Sequence, residues 1–521
     1  MKNEVLDYEA AFLSGMVLAF HAAARPNAMA LWTEFGQLSF AQLNGRVNQL
    51  SRLFRKAGLG KGDAIAVVLK NRCEFVEAYY ATQRTGIRFT PVNWHLSADE
   101  VAYVVDNCEA QAVLFDASLG IAEAALAQAD TCTLRLAVGG EIEGFDALET
   151  ALEGLSQKNI DKPEHGTFML YTSGTTGRPK GVYRKENPVA KTAAQSSANW
   201  DPARHITLCT GPAYHAAPMM FNVVSPLNSG VGVVLMNKWD AELTLNLVQK
   251  FGVTHTHMVA TMFNRLLQLP ETIRSGYNLS SLEYVLHGAA PCPVHIKHKI
   301  IEWFGPIVFE YYAATEGGAN FLVDSATWLA KPGTVGKPEP IDAAKVMNED
   351  GVELGQGETG LVYFKAPKVG RFEYFKADDK TSSSYIGDWF TLGDMGYFDA
   401  DGYLFLNGRS AETIISGGVN IYPQEIDTEL MQHPAVLDVC TVGVPSEEWG
   451  ESVLAVVQLC DGYSESETLK LDLLEFVKPR LAAFKIPRGI DFVKELPRLP
   501  SGKIQRGLVR KKYWLGRDSQ I

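Results

Sequence analysis

Residues 171 to 182 read YTSGTTGRPKGV, with three glycines, four serine or threonine hydroxyls and two cations in twelve positions. The apolar run FMLYT ahead of it predicts a strand leading into a loop, where glycines free the backbone and successive N–H groups can face an anion. Ser173, Thr175, Thr176 and Lys180 could all donate to phosphate oxygens. The stretch departs from the Walker phosphate loop, because Pro179 stands where a glycine should precede the lysine. A flexible surface turn with a solvated lysine has the same composition, so these residues alone leave both readings open.

The elements that would carry such a loop follow from pattern. Ser39 and Gln42 have capping-box spacing, and Leu43, Val47, Leu50 and Phe54 follow at helical period, with Gly58 and Gly62 stopping the helix before the strand AIAVVL at 64–69. Ser97 and Glu100 cap a second helix, to about Asn107, ahead of the strand QAVLF at 111–115. Helices alternating with strands indicate an α/β fold with much parallel sheet. Between about 330 and 408 short strands separated by Gly and Asp predict a β-rich subdomain. Pro423 suits the first turn of a helix to about His433; AVLDVCTVGV and SVLAVVQL read as strands, and a last helix is expected near 467–481. AAFLSGMVLAFHAAA, residues 10–24, reads as one amphipathic helix ending before Pro26.

At 521 residues the chain exceeds what one hydrophobic core usually serves, so more than one domain is expected. A net charge of −12 argues against nucleic acid or an anionic membrane as the main partner. The seven cysteines are scattered and form no C-x-x-C pair, which fits free thiols in a reducing compartment and gives no metal-ligand spacing. Glu4, Asp7 and Glu9 against Lys2 give the flank of the 10–24 run the wrong sign for a secretory signal. No apolar run reaches the length of a membrane span, and DSQI at the end is not a peroxisomal address. A cytoplasmic location is expected.

The order of residues in YTSGTTGRPKGV resembles the signature loop of the adenylate-forming superfamily, which includes acyl-CoA synthetases, beetle luciferases and peptide-synthetase adenylation domains. The resemblance continues, in the family's order, through PAYHAAP (212–218), HGAAP (287–291), YYAATEGG (311–318), KPGTVGKP (331–338), WFTLGDMGYFDADGYLFLNGR (389–409), IISGGVNIYPQEI (414–426) and LPSGKIQR (499–506). It implies a large N-terminal AMP-binding domain, residues 1–409, of mixed and largely parallel sheets flanked by helices, including the β-rich part. A small mobile α+β lid, residues 411–521, would follow. The implied reaction uses ATP, Mg²⁺ and CoA: a carboxylic acid becomes an acyl-adenylate with release of pyrophosphate, and the acyl group then passes to the thiol. A stand-alone enzyme loading a carrier protein is the alternative, and a non-catalytic nucleotide-binding homologue is a second. The expected partner is a small carboxylic acid, fatty, aromatic, terpenoid or steroid, with a homodimer as the expected assembly.

Residue by residue, the resemblance implies Lys503 as the catalytic lysine, Glu316 as the Mg²⁺ ligand, Thr315 at the α-phosphate and His215 near the acyl carboxylate. Thr172, Ser173, Gly174, Thr175, Thr176, Gly177 and Lys180 would hold the phosphates, making Lys180 an accessory. Gly288, Ala289, Ala290 and Pro291 would line adenine and the acyl pocket, together with Tyr312, Ala313 and Ala314; Ala313 stands where glycine is usual. Asp394 would accept the ribose hydroxyls with Arg409 beside it, and Ser416, Gly417 and Gly418 would line the path of the thiol. Ala216 and Ala217 replace the Asp usual in amino-acid-activating relatives, which disfavours an α-amino acid. The hinge position carries Ala411, followed by Glu412, where Asp or Lys is usual.

Overall fold

Ser39 Oγ accepts the Gln42 backbone N–H at 3.3 Å while Gln42 Oε1 accepts that of Ser39 at 2.8 Å, closing the expected capping box on the helix Phe40–Lys56. Ser97 and Glu100 do the same for Ala98–Asn107. In the computed structural model the described residues are 7–127, 131–172, 178–185, 198–499 and 502–515. They fall into two units. One holds residues up to Met258 with Gln268–Leu286 and Pro367–Ser383; the other holds Val259–Leu267, His287–Ala366 and Ser384 onward. This division does not follow a cut at residue 410, so a separately moving segment 411–521 remains a proposal.

In the first unit the strands Asp146–Ala147, Leu134–Val138, Ala110–Asp116, Ala64–Val68, Arg88–Pro91 and Thr167–Phe168 lie side by side in that order, every pair parallel. Ala64–Val68 is buried at every position, as a parallel strand covered on both faces must be. A second parallel set runs His255–Met258, Ile206–Cys209, Gly232–Leu235 and Met29–Thr33, edged by the antiparallel strand Gly36–Ser39. Leu170–Thr172, Lys180–Tyr183 and Glu373–Tyr374 make a small antiparallel sheet.

The second unit is antiparallel for most of its length. Val308–Ala314 and Gly317–Val323 form a hairpin. A six-stranded sheet built around Gly360–Lys365, Trp389–Phe398 and Leu404–Arg409 is the expected β-rich subdomain. Beyond it Val436–Ser446 pairs along its length with Gly450–Leu459, and Gly489–Val493 joins in parallel, with the helices Pro423–Leu430, Glu467–Val477 and Arg506–Tyr513. The mixed α/β class is therefore as expected.

Three local expectations differ from the structure. The 10–24 run is two helices, Tyr8–Leu13 and Val17–Ala24, broken at Gly15, whose φ is +73°. A Cβ at Gly15 would lie 1.9 Å from the Gln83 carbonyl oxygen, so the backbone of the break is pressed against another helix end. The second helix is buried at Val17, Leu18, Ala19 and His21 instead of being amphipathic. The Pro423 helix ends at Leu430, and the last helix is Arg506–Tyr513, which begins three residues after Lys503. All seven cysteines are unpaired, and no helix among the described residues is long and apolar enough to cross a membrane.

Candidate active site

Asp394 and Arg409 are register partners across the antiparallel strands Trp389–Phe398 and Leu404–Arg409, which puts their side chains next to each other. Arg409 Nε stands 3.3 Å from Asp394 Oδ1, and the Tyr312 hydroxyl donates to Asp394 Oδ2 at 2.7 Å. Each carboxylate oxygen is thus oriented by one partner and keeps a further lone pair for a ligand hydroxyl. Tyr312 is itself held edge-on by Phe321, at 5.5 Å between ring centroids, and by the tilted ring of Phe364 at 5.8 Å. Burial and the neighbouring Asp394 drive its hydroxyl pKa far up, so it is a permanent donor. The sequence places Tyr312 only in the lining of the adenine and acyl pocket; this hydrogen bond joins residues 82 apart and has no local signal.

The strand carrying Tyr312 shifts register between Tyr312 and Ala314, a bulge that re-aims the chain into the hairpin turn at Thr315 and Glu316. Gly317 and Gly318 follow at φ +117° and +139°, a backbone that side-chain-bearing residues rarely adopt.

Lys503 lies in the same unit, within electrostatic reach of Arg409, Glu412, Asp394 and Glu316. Burial pushes its ammonium pKa down and the Arg409 charge adds to this, while the three carboxylates oppose. Its loop is tightly built. Gly502 has φ +82°, and a Cβ there would lie 2.6 Å from Thr261 Oγ1 and 3.0 Å from Val259 Cγ2. Arg498 donates to the Gly502 carbonyl at 2.5 Å and grips both oxygens of Asp438, at 2.7 and 2.6 Å. Arg506, on the other side, is nearly buried and bonds Glu412 at 3.0 Å, Asp427 at 2.8 Å and the Thr441 carbonyl. Neither arginine was selected from sequence. Their only signal was position, five residues before and three after the lysine.

Ala411 sits in a short turn, Ser410–Glu412, with its side chain exposed. The Glu412–Arg506 pair therefore links this turn to the segment following Lys503. Ser416, Gly417 and Gly418 form the turn between Ile414–Ser416 and Val419–Ile421. Positive φ at both glycines, +58° and +79°, is what a tight two-residue hairpin requires. A Cβ on Gly417 would also strike Trp449 at 2.6 Å.

Of HGAAP, Gly288 has no room for a side chain, since a Cβ would stand 2.5 Å from the Tyr311 ring and 2.6 Å from its carbonyl oxygen. Ala289 occupies the left-handed region at φ +64°. Ala290 is half-buried and Pro291 exposed.

In the first unit Thr172 and Lys180 are cross-strand partners, so the ends of the signature loop are pinned side by side. The Lys180 ammonium rests 5.1 Å from the centre of the Tyr374 ring. Ser173, Gly174, Thr175, Thr176 and Gly177 lie outside the described residues. His215 is held against Tyr214, 4.5 Å between rings, just ahead of a π-helical stretch Pro218–Val224, a rare geometry frequent at functional sites. Burial, with His95 nearby, pushes its pKa down to about 4, so it works as a neutral ring with Nε2 making no hydrogen bond to the described residues. The second unit thus gathers Tyr312, Asp394, Arg409, Glu316 and Lys503, while Thr172, Lys180 and His215 belong to the first.

The model of the AMP-binding enzyme family matches residues 18–372, and that of the AMP-binding enzyme C-terminal domain matches 425–503. A fatty acid–[acyl-carrier-protein] ligase of Streptomyces coeruleorubidus is 30% identical over 507 residues, 95% of each chain. The indoleacetate–CoA ligase of Aromatoleum aromaticum is 30% identical over 497 residues, 94% of this chain and 96% of its own. Among solved structures, an ATP-bound RpMatB-BxBclM chimera superposes with a TM-score of 0.84 at 30% identity, covering 96% of this chain and 99% of that one.

Proposed function

The chain belongs to the AMP-binding enzyme family, and from that premise we propose that it is an AMP-forming carboxylate–CoA ligase whose adenylation step is run by Lys503. In the first step a carboxylate oxygen attacks the α-phosphorus of ATP and the bond to the β-phosphate oxygen breaks, giving acyl-AMP and pyrophosphate. In the second the CoA sulfur attacks the acyl carbonyl carbon and AMP leaves. Both partners of the first step are anionic, so fixed positive charge at the forming bond is the main catalytic need. The observation that carries the reading is that Lys503 lies within reach of Asp394, Arg409 and Glu316 instead of trailing in solvent.

In this reading Asp394 accepts the two ribose hydroxyls, with Tyr312 and Arg409 holding its oxygens in place. Thr315 meets the α-phosphate, the Thr172–Lys180 loop grips the outer phosphates, and neutral His215 packs at the acyl carboxylate. Ser416 and the two glycines after it border the thiol. No group of three acids or histidines among the described residues could cage a cation alone. Glu316 as a single carboxylate in a turn fits Mg²⁺, which commonly binds one or two carboxylates together with substrate phosphates. Glu316 would hold that ion, whose charge offsets that of the phosphates when bound. A cytoplasmic location belongs to the same reading and is supported by the seven unpaired cysteines.

Release of pyrophosphate and AMP across a panel of fatty, aromatic, terpenoid and steroid acids tests the activity and finds the substrate. No acid-dependent release from any of them would instead favour a non-catalytic binder. Likeness to the Streptomyces carrier-protein ligase supports a second acceptor, so CoA and a holo-carrier protein are to be offered side by side.

Two variants probe the geometry. Tyr312→Phe deletes only the hydrogen bond to Asp394, and should raise the KM for ATP about tenfold with kcat little changed, since a bond to a charged group contributes about 1.5 kcal/mol. An unchanged KM would show that Asp394 holds its pose without the hydroxyl. Gly502→Ala places a methyl against Thr261 in an unfavourable backbone region, and should slow adenylate formation by about 100-fold in single turnover. A loss smaller than threefold would mean that the loop has slack, with roughly 0.6 kcal/mol at stake.

A further inference from the structure

Lys297 and Glu310 form an ion pair that has no part in the chemistry just described. Lys297 Nζ is 2.5 Å from Glu310 Oε2, and His287 Nε2 is 3.6 Å from the same oxygen. Lys297 and His287 are fully buried and Glu310 is 7% exposed. The Trp328 ring lies 4.5 Å from the ammonium, and Phe263 packs edge-on against His287 at 5.2 Å. Burial presses the carboxyl pKa up and the ammonium pKa down, and their contact opposes both shifts. A buried ion pair is a poor way to stabilise a core, because desolvation can exceed the Coulombic gain and apolar replacements are often as stable. Geometry is what such a pair can specify.

The geometry here concerns two segments. His287 is the first residue of HGAAP, and Glu310 stands two residues before Tyr312 on the strand Val308–Ala314; Lys297 reaches Glu310 from the helix Val294–Phe304, and His287 faces the same Glu310 oxygen. Gly288 presses on Tyr311 with no space between, and Ala289 is held left-handed, a conformation that persists only where the surroundings over-determine it. Left to itself that turn would relax. We propose that Lys297, Glu310 and His287 are positioning residues that clamp the HGAAP turn against the Tyr312 strand and thereby set the width of the nucleotide-base site. This inference rests on the ATP-dependent reading above.

The double variant Lys297→Met/Glu310→Gln removes both charges, leaving no buried ion unpaired. Isothermal titration with ATP and thermal melting are measured on it and on the unaltered enzyme. The expected result is an ATP Kd raised about tenfold or more with Tm shifted by only a few degrees. A Kd within about twofold of the unaltered enzyme overturns the proposal, and so does a fall in Tm beyond about 10 °C, which would assign the network to the core. Should the double variant fail to fold, His287→Gln, which leaves the ion pair intact, is read by the same two outcomes. If the unaltered enzyme itself binds no ATP, the activity reading falls and this inference with it. Equal binding by enzyme and variant removes this inference alone.

Discussion

Lys503→Ala is expected to lower the single-turnover rate of adenylate formation by about 10³-fold, while transfer from a supplied acyl-adenylate to CoA stays within about threefold. The first effect follows from removing a charge that offsets the negative charge gathering between carboxylate and phosphate. The ammonium is partly desolvated by its setting, so its field is less screened than that of a surface lysine. The second follows because thioester formation releases AMP from a neutral acyl carbon and makes no demand on that charge. Lys180→Ala should behave differently. Lys180 sits at the root of the signature loop against Tyr374, and its loss should mainly raise the KM for ATP. Equal loss of both half-reactions in the Lys503 variant would remove the proposed role.

Ala411→Pro should produce the mirror image, with adenylation within a few-fold and thioester formation down by about 100-fold. The proposed lid motion needs residue 411 to change its backbone dihedrals, and proline fixes φ near −65° and restricts the residue before it. The methyl of Ala411 makes no demand of its own, being exposed in the turn Ser410–Glu412. The neighbouring ion pair between Glu412 and Arg506 holds that turn to the segment after Lys503, so a rotation about 411 would have to break it or carry it along. Single-turnover measurement of each half-reaction decides the matter. A common loss in both halves would show that the substitution harms the fold and not a swap.

Much of this was legible in the chain because its cause is local. The capping boxes at Ser39 and Ser97 formed because side chain and backbone partners lie three residues apart. The parallel strand Ala64–Val68 announced itself by unbroken apolar character. Gly417 and Gly418 carried the two positive φ values of a hairpin turn, and Gly502 another at the lysine loop. The same locality misled at residues 10–24. The break at Gly15 lies where the backbone meets the Gln83 carbonyl with no room for a Cβ, a contact no reading of that run alone could foresee.

What the sequence by itself determined is the class of fold, the ordered motif blocks and the residues proposed for the chemistry, Lys503 foremost. Tertiary structure alone decided which of them lie together and what holds them. Tyr312 bonds an Asp394 82 residues away, Arg506 reaches Glu412 across 94, and the Lys297–Glu310 pair is sealed under Trp328. A polar side chain has no preferred partner along an extended chain in water, where solvent satisfies it. Only when folding strips that solvent away must it find one, and which one is then set by how distant strands and helices pack.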